Sequence, residues 1–233
     1  MQLNHAQREL TLKLVSYGPG LSGKTTNLRC IHARARPEAR GRLLSVETHE
    51  DRTLFFDLLP VFVTSDSGFK VKLKLFTVPG QVVHEATRRV VLQGTDAVAF
   101  IADSRRSAAV ENNAYWRKLR SNMRENGLDA THVPVVIQFN KRDLPDAQTD
   151  EELEAARKRG GEPVVGAVAL RGEGVMETLH ALLQSAWRNL DERMRLSRNI
   201  GLTEKEFLSL IFQQLDLKGT GLEALYPLVE KQR

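Results

Sequence analysis

Residues 18–26 read GPGLSGKTT: Gly18 and Gly23 bracket four residues, and Lys24 and Thr25 follow at once. The pattern G-x-x-x-x-G-K-[ST] suits one task. Glycines let successive backbone N–H groups curl inward around phosphate oxygens. Gly18, Gly20, Leu21, Ser22 and Gly23 supply that backbone, and Thr26 carries it into the first turn of a helix. A helix N-terminus adds unpaired donors and a partial positive charge. Lys24 brings a full charge to the β- and γ-phosphates, and Thr25 offers a hydroxyl to Mg²⁺. The plain alternative is a glycine-rich turn with an incidental lysine. An apolar strand before the motif and a helical segment after it favour phosphate binding.

A second constellation selects the base. Asn140-Lys141-Arg142-Asp143 closes an apolar run. A carboxylate in the plane of guanine accepts from both N1–H and the N2 amine. Adenine lacks that donor pair, and a mispaired buried carboxylate goes unsatisfied. Asp143 takes this role, Asn140 braces the loop, and the Lys141 stem covers the base. The alternative for Asp143 is a surface turn before Pro145. Further on, Ala167-Val168-Ala169-Leu170 ends a strand candidate, where a backbone N–H at Ala169 or Leu170 can meet guanine O6.

The elements that must hold these groups are visible as patterns. Leu10–Tyr17 is apolar and β-prone and runs into the glycine-rich loop. A helix follows from Gly23 toward Ala35 and stops before Pro37. Leu58–Thr64 and Phe69–Val78 form a hairpin about Ser67-Gly68. Ala97–Ala102 and Val133–Phe139 are short continuous apolar runs that suit buried parallel strands. Between them Glu111–Asn126 carries Tyr115, Leu119 and Met123 on one helical face. Pro163–Ala169 is a further strand candidate, and Val175–Met194 a long amphipathic helix. Strands alternating with helices predict an α/β fold, a mostly parallel doubly wound sheet with one antiparallel hairpin strand.

Bulk properties exclude some classes. The chain has 233 residues and a formal net charge of +5, with its basic residues scattered. No basic stripe or RNA-binding module points to nucleic acid, so a ribosome-associated role finds no support. A single cysteine, Cys30, rules out an internal disulfide and suits a reducing cytoplasm. The first residues lack the apolar core of a signal peptide, no run is long enough to span a membrane, and neither end carries a lipidation motif. A monomer is expected, without an intrinsic membrane anchor.

The stretches GPGLSGKTTNLR, DRTLFFDLLP, FTVPGQ and FNKRDLP together resemble small Ras-like GTPases of the P-loop NTPase class, and more closely the bacterial MglA family of motility and polarity GTPases. The similarity spans roughly residues 8 to 196. It implies that Thr53 closes on Mg²⁺ and the γ-phosphate, joining Thr25 as a metal ligand. It implies that Pro79 and Gly80 approach the γ-phosphate, that Gln81 orients the attacking water, and that Arg52 is an arginine finger carried in cis. Thr77 departs from the general pattern, which has an aspartate there holding Mg²⁺ through water, but the same threonine is typical of MglA-like chains. Asp57, close to Thr53 in sequence, is a candidate replacement carboxylate. The resemblance further implies GTP/GDP and Mg²⁺ as ligands, slow intrinsic hydrolysis, and unidentified effectors of the GTP state. It implies a Roadblock/LC7-type, MglB-like activating partner, with recruitment to a cell pole through partners. The competing possibility is a pseudo-GTPase scaffold that holds guanine nucleotide without useful hydrolysis.

A GTPase domain over 1–198 leaves a helical extension over 199–233. There Thr203–Glu206 is a capping box. Phe207, Leu210, Ile211 and Leu215 share one helical face, and Leu222, Leu225 and Leu228 suggest a short further element. An apolar helix face needs a cover. The expected cover is the chain's own GTPase domain, and the alternative is a docking helix for a partner.

Overall fold

Apolar runs with no charged residue cannot face water on either side, and here they line up as the centre of a sheet. A computed structural model of the chain describes residues 1–46, 56–65, 67–79, 85–128 and 132–215. Arg52, Thr53, Gly80 and Gln81 lie outside the described residues, as does the segment around Leu222, Leu225 and Leu228. The strands are β1 (Gln2–Asn4), β2 (Glu9–Tyr17), β3 (Leu44–Val46), β4 (Phe56–Thr64), β5 (Lys70–Thr77), β6 (Ala97–Asp103), β7 (Val135–Asn140) and β8 (Val164–Gly166). Their spatial order is β3-β4-β5-β2-β6-β7-β8, with β1 added to β2. Pairing is parallel from β5 through β2, β6 and β7 to β8, and antiparallel between β4 and β5. The short strands β1 and β3 add two further antiparallel pairs that the sequence did not announce.

Helices α1 (Lys24–Arg34), α2 (Glu85–Leu92), α3 (Ala109–Glu125), α4 (Asp150–Arg159), α5 (Val175–Met194), α6 (Leu196–Ile200) and α7 (Glu204–Phe212) connect and cover the strands. Two apolar clusters result. One joins β2, β4 and β5 to α1, α5 and α7, and the other joins β2 and β6 to α2 and α3. Every residue of β6 is buried, the apolar run Ala97–Ala102 together with Asp103 at its carboxyl end. From β2 the neighbouring strands β5 and β6 lie on opposite sides, so the loop after β2 sits where the strand order reverses. Open α/β sheets bind ligands at the carboxyl ends of strands at such a point.

The strand expected to reach Ala169 ends at Gly166, and 167–170 form a loop. The reason is local. The Val168 N–H turns back to the Glu173 carbonyl and the Arg171 N–H to the Val168 carbonyl, so the ladder with β7 cannot continue.

The described part of the extension folds onto its own chain. The Thr203–Glu206 capping box forms in both directions and starts α7. Phe207, Leu208, Ile211, Phe212 and Leu215 are buried, whereas Leu210 is only partly so; the buried face is rotated from the one expected. Phe207 stacks on Trp187 of α5 with ring centroids 4.5 Å apart, and Glu204 accepts from Arg188 at 2.8 Å. The chain after α7 bridges the segment after α1, with the Arg36 N–H on the Gln214 carbonyl at 2.9 Å. Phe207→Leu keeps an apolar side chain but loses the ring stack, and should lower unfolding stability in urea by about 1 kcal/mol.

The same seam holds a pH-sensitive group. His180 of α5 is buried against the Phe212 ring, centroids 5.4 Å apart. Burial pulls its pKa down to about 4, opposed by the Glu204 carboxylate and aided by Arg188. An unfolded histidine titrates near 6.5, so on acidification the unfolded chain binds the proton first. The stability is full above pH 6.5 and is lost as pH falls toward 4. Between pH 7 and 5.5 the loss should reach about 1 kcal/mol, and His180→Phe should remove that part of the slope.

Candidate functional site

The loop between β2 and α1 has its shape imposed by two neighbouring strands. A Cβ on Gly18, whose φ is +145°, would lie 2.2 Å from the Ile101 carbonyl oxygen of β6. A Cβ on Gly23, at φ +103°, would lie 2.1 Å from Asn140 Nδ2 at the end of β7. Both glycines are therefore required by close approach as well as by conformation. Leu21 and Lys141 adopt φ of 57° and 66° without being glycine, and both belong to this site. Such outliers persist where surrounding structure holds them, commonly at ligand sites.

Gly23 caps α1 with no side-chain hydrogen bond, and no acid lies in the first helical turn. The N-terminal donors of α1 are thus left to a ligand. The Ser22 hydroxyl is buried with no partner among the described residues. Lys24 is 7 % exposed and donates to the Gly18 and Pro19 carbonyls at 3.0 and 2.5 Å. Burial, then the nearby Arg88 charge, pull its pKa down to about 8, against the pull of Glu111 and Asp57. A buried ammonium with neutral acceptors only is suited to receive an anion.

At the mouth of the loop stands a set of hard oxygens. Thr25 Oγ1 donates to Asp57 Oδ2 at 2.6 Å, and Thr77 Oγ1 donates to the same oxygen at 3.0 Å. The Asp57 N–H returns a bond to Thr77 Oγ1 at 2.9 Å, and Ser45 Oγ donates to Asp57 Oδ1 at 2.8 Å. Two hydroxyls and one carboxylate beside a phosphate loop fit Mg²⁺, which prefers oxygen ligands and shares its shell with phosphates. Asp57 places a negative charge beside the Thr77 hydroxyl. No group of three His, Cys, Asp or Glu among the described residues suits any other metal centre.

The base side is built around Asn140, 3 % exposed. Its Nδ2 donates to the Ser22 carbonyl at 2.8 Å, and its Oδ1 accepts the Ala169 N–H at 2.9 Å. One side chain thus fastens the phosphate loop, the end of β7 and the loop after β8. Of the two backbone donors expected for guanine O6, the Ala169 N–H is engaged by Asn140 in this structure. Ala167, Val168, Arg171 and Gly172 also donate internally, whereas the Leu170 N–H makes no backbone bond among the described residues. Asp143 stands exposed in the loop after β7, free to meet a base.

Asp103 is the residue that sequence inspection missed. It ends β6, accepts from Lys141 Nζ at 2.6 Å and from Arg105 at 2.7 Å, and so fixes the Lys141 stem beside the base position. Burial pushes its carboxyl up, but hydrogen bonds from Arg105 and Lys141 hold it down at about 2. The signal was present: it is the only charge in the run AVAFIAD, at the carboxyl end of a buried strand. Cys30 is half-buried, and burial raises its thiol pKa, which disfavours the reactive thiolate.

A triphosphate cradle and a guanine-selecting loop held by one asparagine are the parts of a G domain. The model of the ADP-ribosylation factor family matches residues 63–186. The mutual gliding-motility protein MglA of Myxococcus xanthus (strain DK1622) is 46 % identical over 180 residues, which cover 77 % of this chain and 92 % of that protein. The chain belongs to the MglA family of Ras-like GTPases. Guanine nucleotide is the family's ligand and GTP hydrolysis its reaction. The threonine at position 77 is consistent with this membership. The coverage also shows that this MglA-family chain is the longer of the two, with more sequence outside the match. None of its described helices is long and apolar enough to cross a membrane.

Proposed function

We propose that this MglA-family GTPase is a switch in gliding motility or cell polarity whose GTP state binds effectors. Its hydrolysis is slow alone and is stimulated by a Roadblock-type partner. The observation that carries the reading is the Asn140 tie between the Ser22 carbonyl and the Ala169 N–H, which makes phosphate site and base site one rigid cradle. Lys24 and the α1 N-terminus bind the phosphates. Thr25, Asp57 and Thr53 would hold Mg²⁺, which supplies charge neutralisation at the β- and γ-oxygens when bound. Gln81 orients the attacking water. Arg52 lays its guanidinium against the charge developing on the transferred phosphoryl group, a contribution of about 10³ to 10⁵ in rate. The motility assignment rests on the 46 % identity to the Myxococcus xanthus protein.

The pseudo-GTPase alternative drew its support from Thr77 and the C-terminal extension, and Asp57 at hydrogen-bond distance from the Thr77 hydroxyl weakens the first of these grounds. Single-turnover GTP hydrolysis, with and without a Roadblock-type homodimer, tests the proposal. Wild-type turnover should rise with the partner, and Arg52→Ala should lose the rise while still binding GDP. Phosphate release that stays absent with every partner would return the scaffold reading.

A further inference from the structure

Arg88 is a long cation that α2 carries into the protein interior, with no exposed surface at all. Burying a guanidinium is costly unless it is paired and hydrogen-bonded, and an apolar residue of similar volume would pack at less cost. The retained charge therefore asks for a task. Its partners among the described residues are specific. One guanidinium nitrogen donates to the Pro79 carbonyl at 3.2 Å, the other to Glu85 Oε2 at 2.6 Å, and the group lies 5.7 Å from the Tyr115 ring centroid.

Glu85 is held in turn. Asn122, a buried residue of α3, donates through Nδ2 to Glu85 Oε1 at 2.6 Å and to the Tyr17 hydroxyl at 3.0 Å. Tyr17 is the last residue of β2 and adjoins Gly18 of the phosphate loop. Burial alone would raise the Glu85 pKa, but the bonds from Arg88 and Asn122 more than offset this and keep it an anion. A polar chain thus runs from Pro79 through Arg88, Glu85 and Asn122 to the start of the phosphate loop. Lys24 feels the Arg88 charge, so the two cations share one region of the site.

Pro79 has its φ fixed by the ring. Holding its carbonyl fixes the rotation of the peptide that follows. A trans peptide is planar, so its C=O and N–H point in opposite directions. A donor that grips the Pro79 carbonyl therefore sets the plane of that peptide. We propose that Arg88 is a positioning residue that orients the Pro79–Gly80 peptide so that its N–H meets the γ-phosphate, with Asn122 tying this orientation to the phosphate loop through Tyr17. The inference rests on the guanine-nucleotide reading of the site.

A γ-phosphate contact exists with a triphosphate and not with GDP, and this makes the role separable from mere packing. Full-length wild type, Arg88→Met, Arg88→Lys and Asn122→Ala are titrated with GDP and with the non-hydrolysable analogue GppNHp, in Mg²⁺, by calorimetry. Arg88→Met should lose about tenfold in GppNHp affinity, the equivalent of one hydrogen bond to a charged group, with GDP affinity held within twofold. Arg88→Lys should recover part of the loss, because an ammonium can reach a carbonyl but cannot span it and Glu85 together. Asn122→Ala, which leaves the guanidinium in place, should shift the same ratio by a smaller factor and keeps the test open if Arg88→Met does not fold. Equal losses for both nucleotides, or an unchanged ratio in folded variants, would overturn the positioning role. Wild-type protein that bound neither nucleotide would instead bring down the guanine-nucleotide reading, and this proposal with it.

Discussion

Asp143→Asn should exchange one base preference for another. On the base-selecting role proposed for Asp143, both carboxylate oxygens accept from guanine, one from N1–H and one from the N2 amine. Two hydrogen bonds to a charged acceptor are worth about 1.5–3 kcal/mol each. The amide of Asp143→Asn keeps one acceptor but sets an NH₂ against the N2 amine, so a donor meets a donor. GDP affinity should fall by about 10²- to 10⁴-fold. Xanthine carries a carbonyl where guanine carries that amine, so the xanthosine diphosphate complex should strengthen in the same variant. Equilibrium titration with fluorescent GDP, XDP and ADP measures all three. The gain for XDP matters most, since a misfolded variant can lose a ligand but not acquire one. Asp143 is exposed and has no hydrogen bond or ion pair among the described residues, so the fold should survive the change. GDP binding that stays at wild-type strength would remove Asp143 from the base site.

The carrier elements of this site were legible because each follows from a strong local pattern. β6 and β7 are buried on both faces, so their sequences lack alternation and read as apolar runs. β5 alternates Lys70, Lys72 and Lys74 with Val71, Leu73 and Leu75, and its register with β4 follows from the short turn. α2 and α4 were not legible. α4 buries only Leu153, so no apolar stripe marks it, although its Thr149–Glu152 capping box stands in the sequence. α2 buries Thr87 and Arg88 where a periodic pattern calls for apolar residues, so its apolar stripe is interrupted. Elements under three or four residues, such as β1 and β3, leave no periodicity to read.

Within the site, motif residues were legible and their mutual bonds were not. The glycine-rich motif marks Gly18 and Gly23, but only the third dimension shows Ile101 and Asn140 pressing on them. Asn140 was assigned a bracing role, and its reach to Ser22, more than a hundred residues away in sequence, depends on β2 and β7 flanking β6. The Ala169 N–H was offered to guanine because a one-dimensional reading does not show that Asn140 already uses it.

Asp57 shows the same limit from the other side, and it supports the second large effect. The sequence offered this carboxylate for its nearness to Thr53, whereas the geometry gives a different reason. In the β4–β5 ladder Leu58 opposes Phe76, so the next pair is Asp57 with Thr77. The negative charge missing from β5 is thus present directly across the ladder on β4, bonded to both the Thr25 and Thr77 hydroxyls. Asp57→Ala should weaken Mg²⁺ binding in the nucleotide complex by about 10- to 100-fold, the range for a carboxylate that supports a metal. GDP binding in EDTA should change little, because Lys24 and the α1 N-terminus remain. Thr77→Asp placed in the Asp57→Ala chain moves the carboxylate across the ladder and should restore most of the Mg²⁺ affinity. Thr77→Asp alone puts two carboxylates face to face, where like charges oppose joint ionisation, and should bring no gain. Mg²⁺ titration of the GDP complexes of all four chains separates these outcomes. If Asp57→Ala bound the ion as tightly as the wild type, the compensating charge would have to come from elsewhere. If it weakened but Thr77→Asp failed to rescue it, the strand carrying the charge would matter as much as the charge.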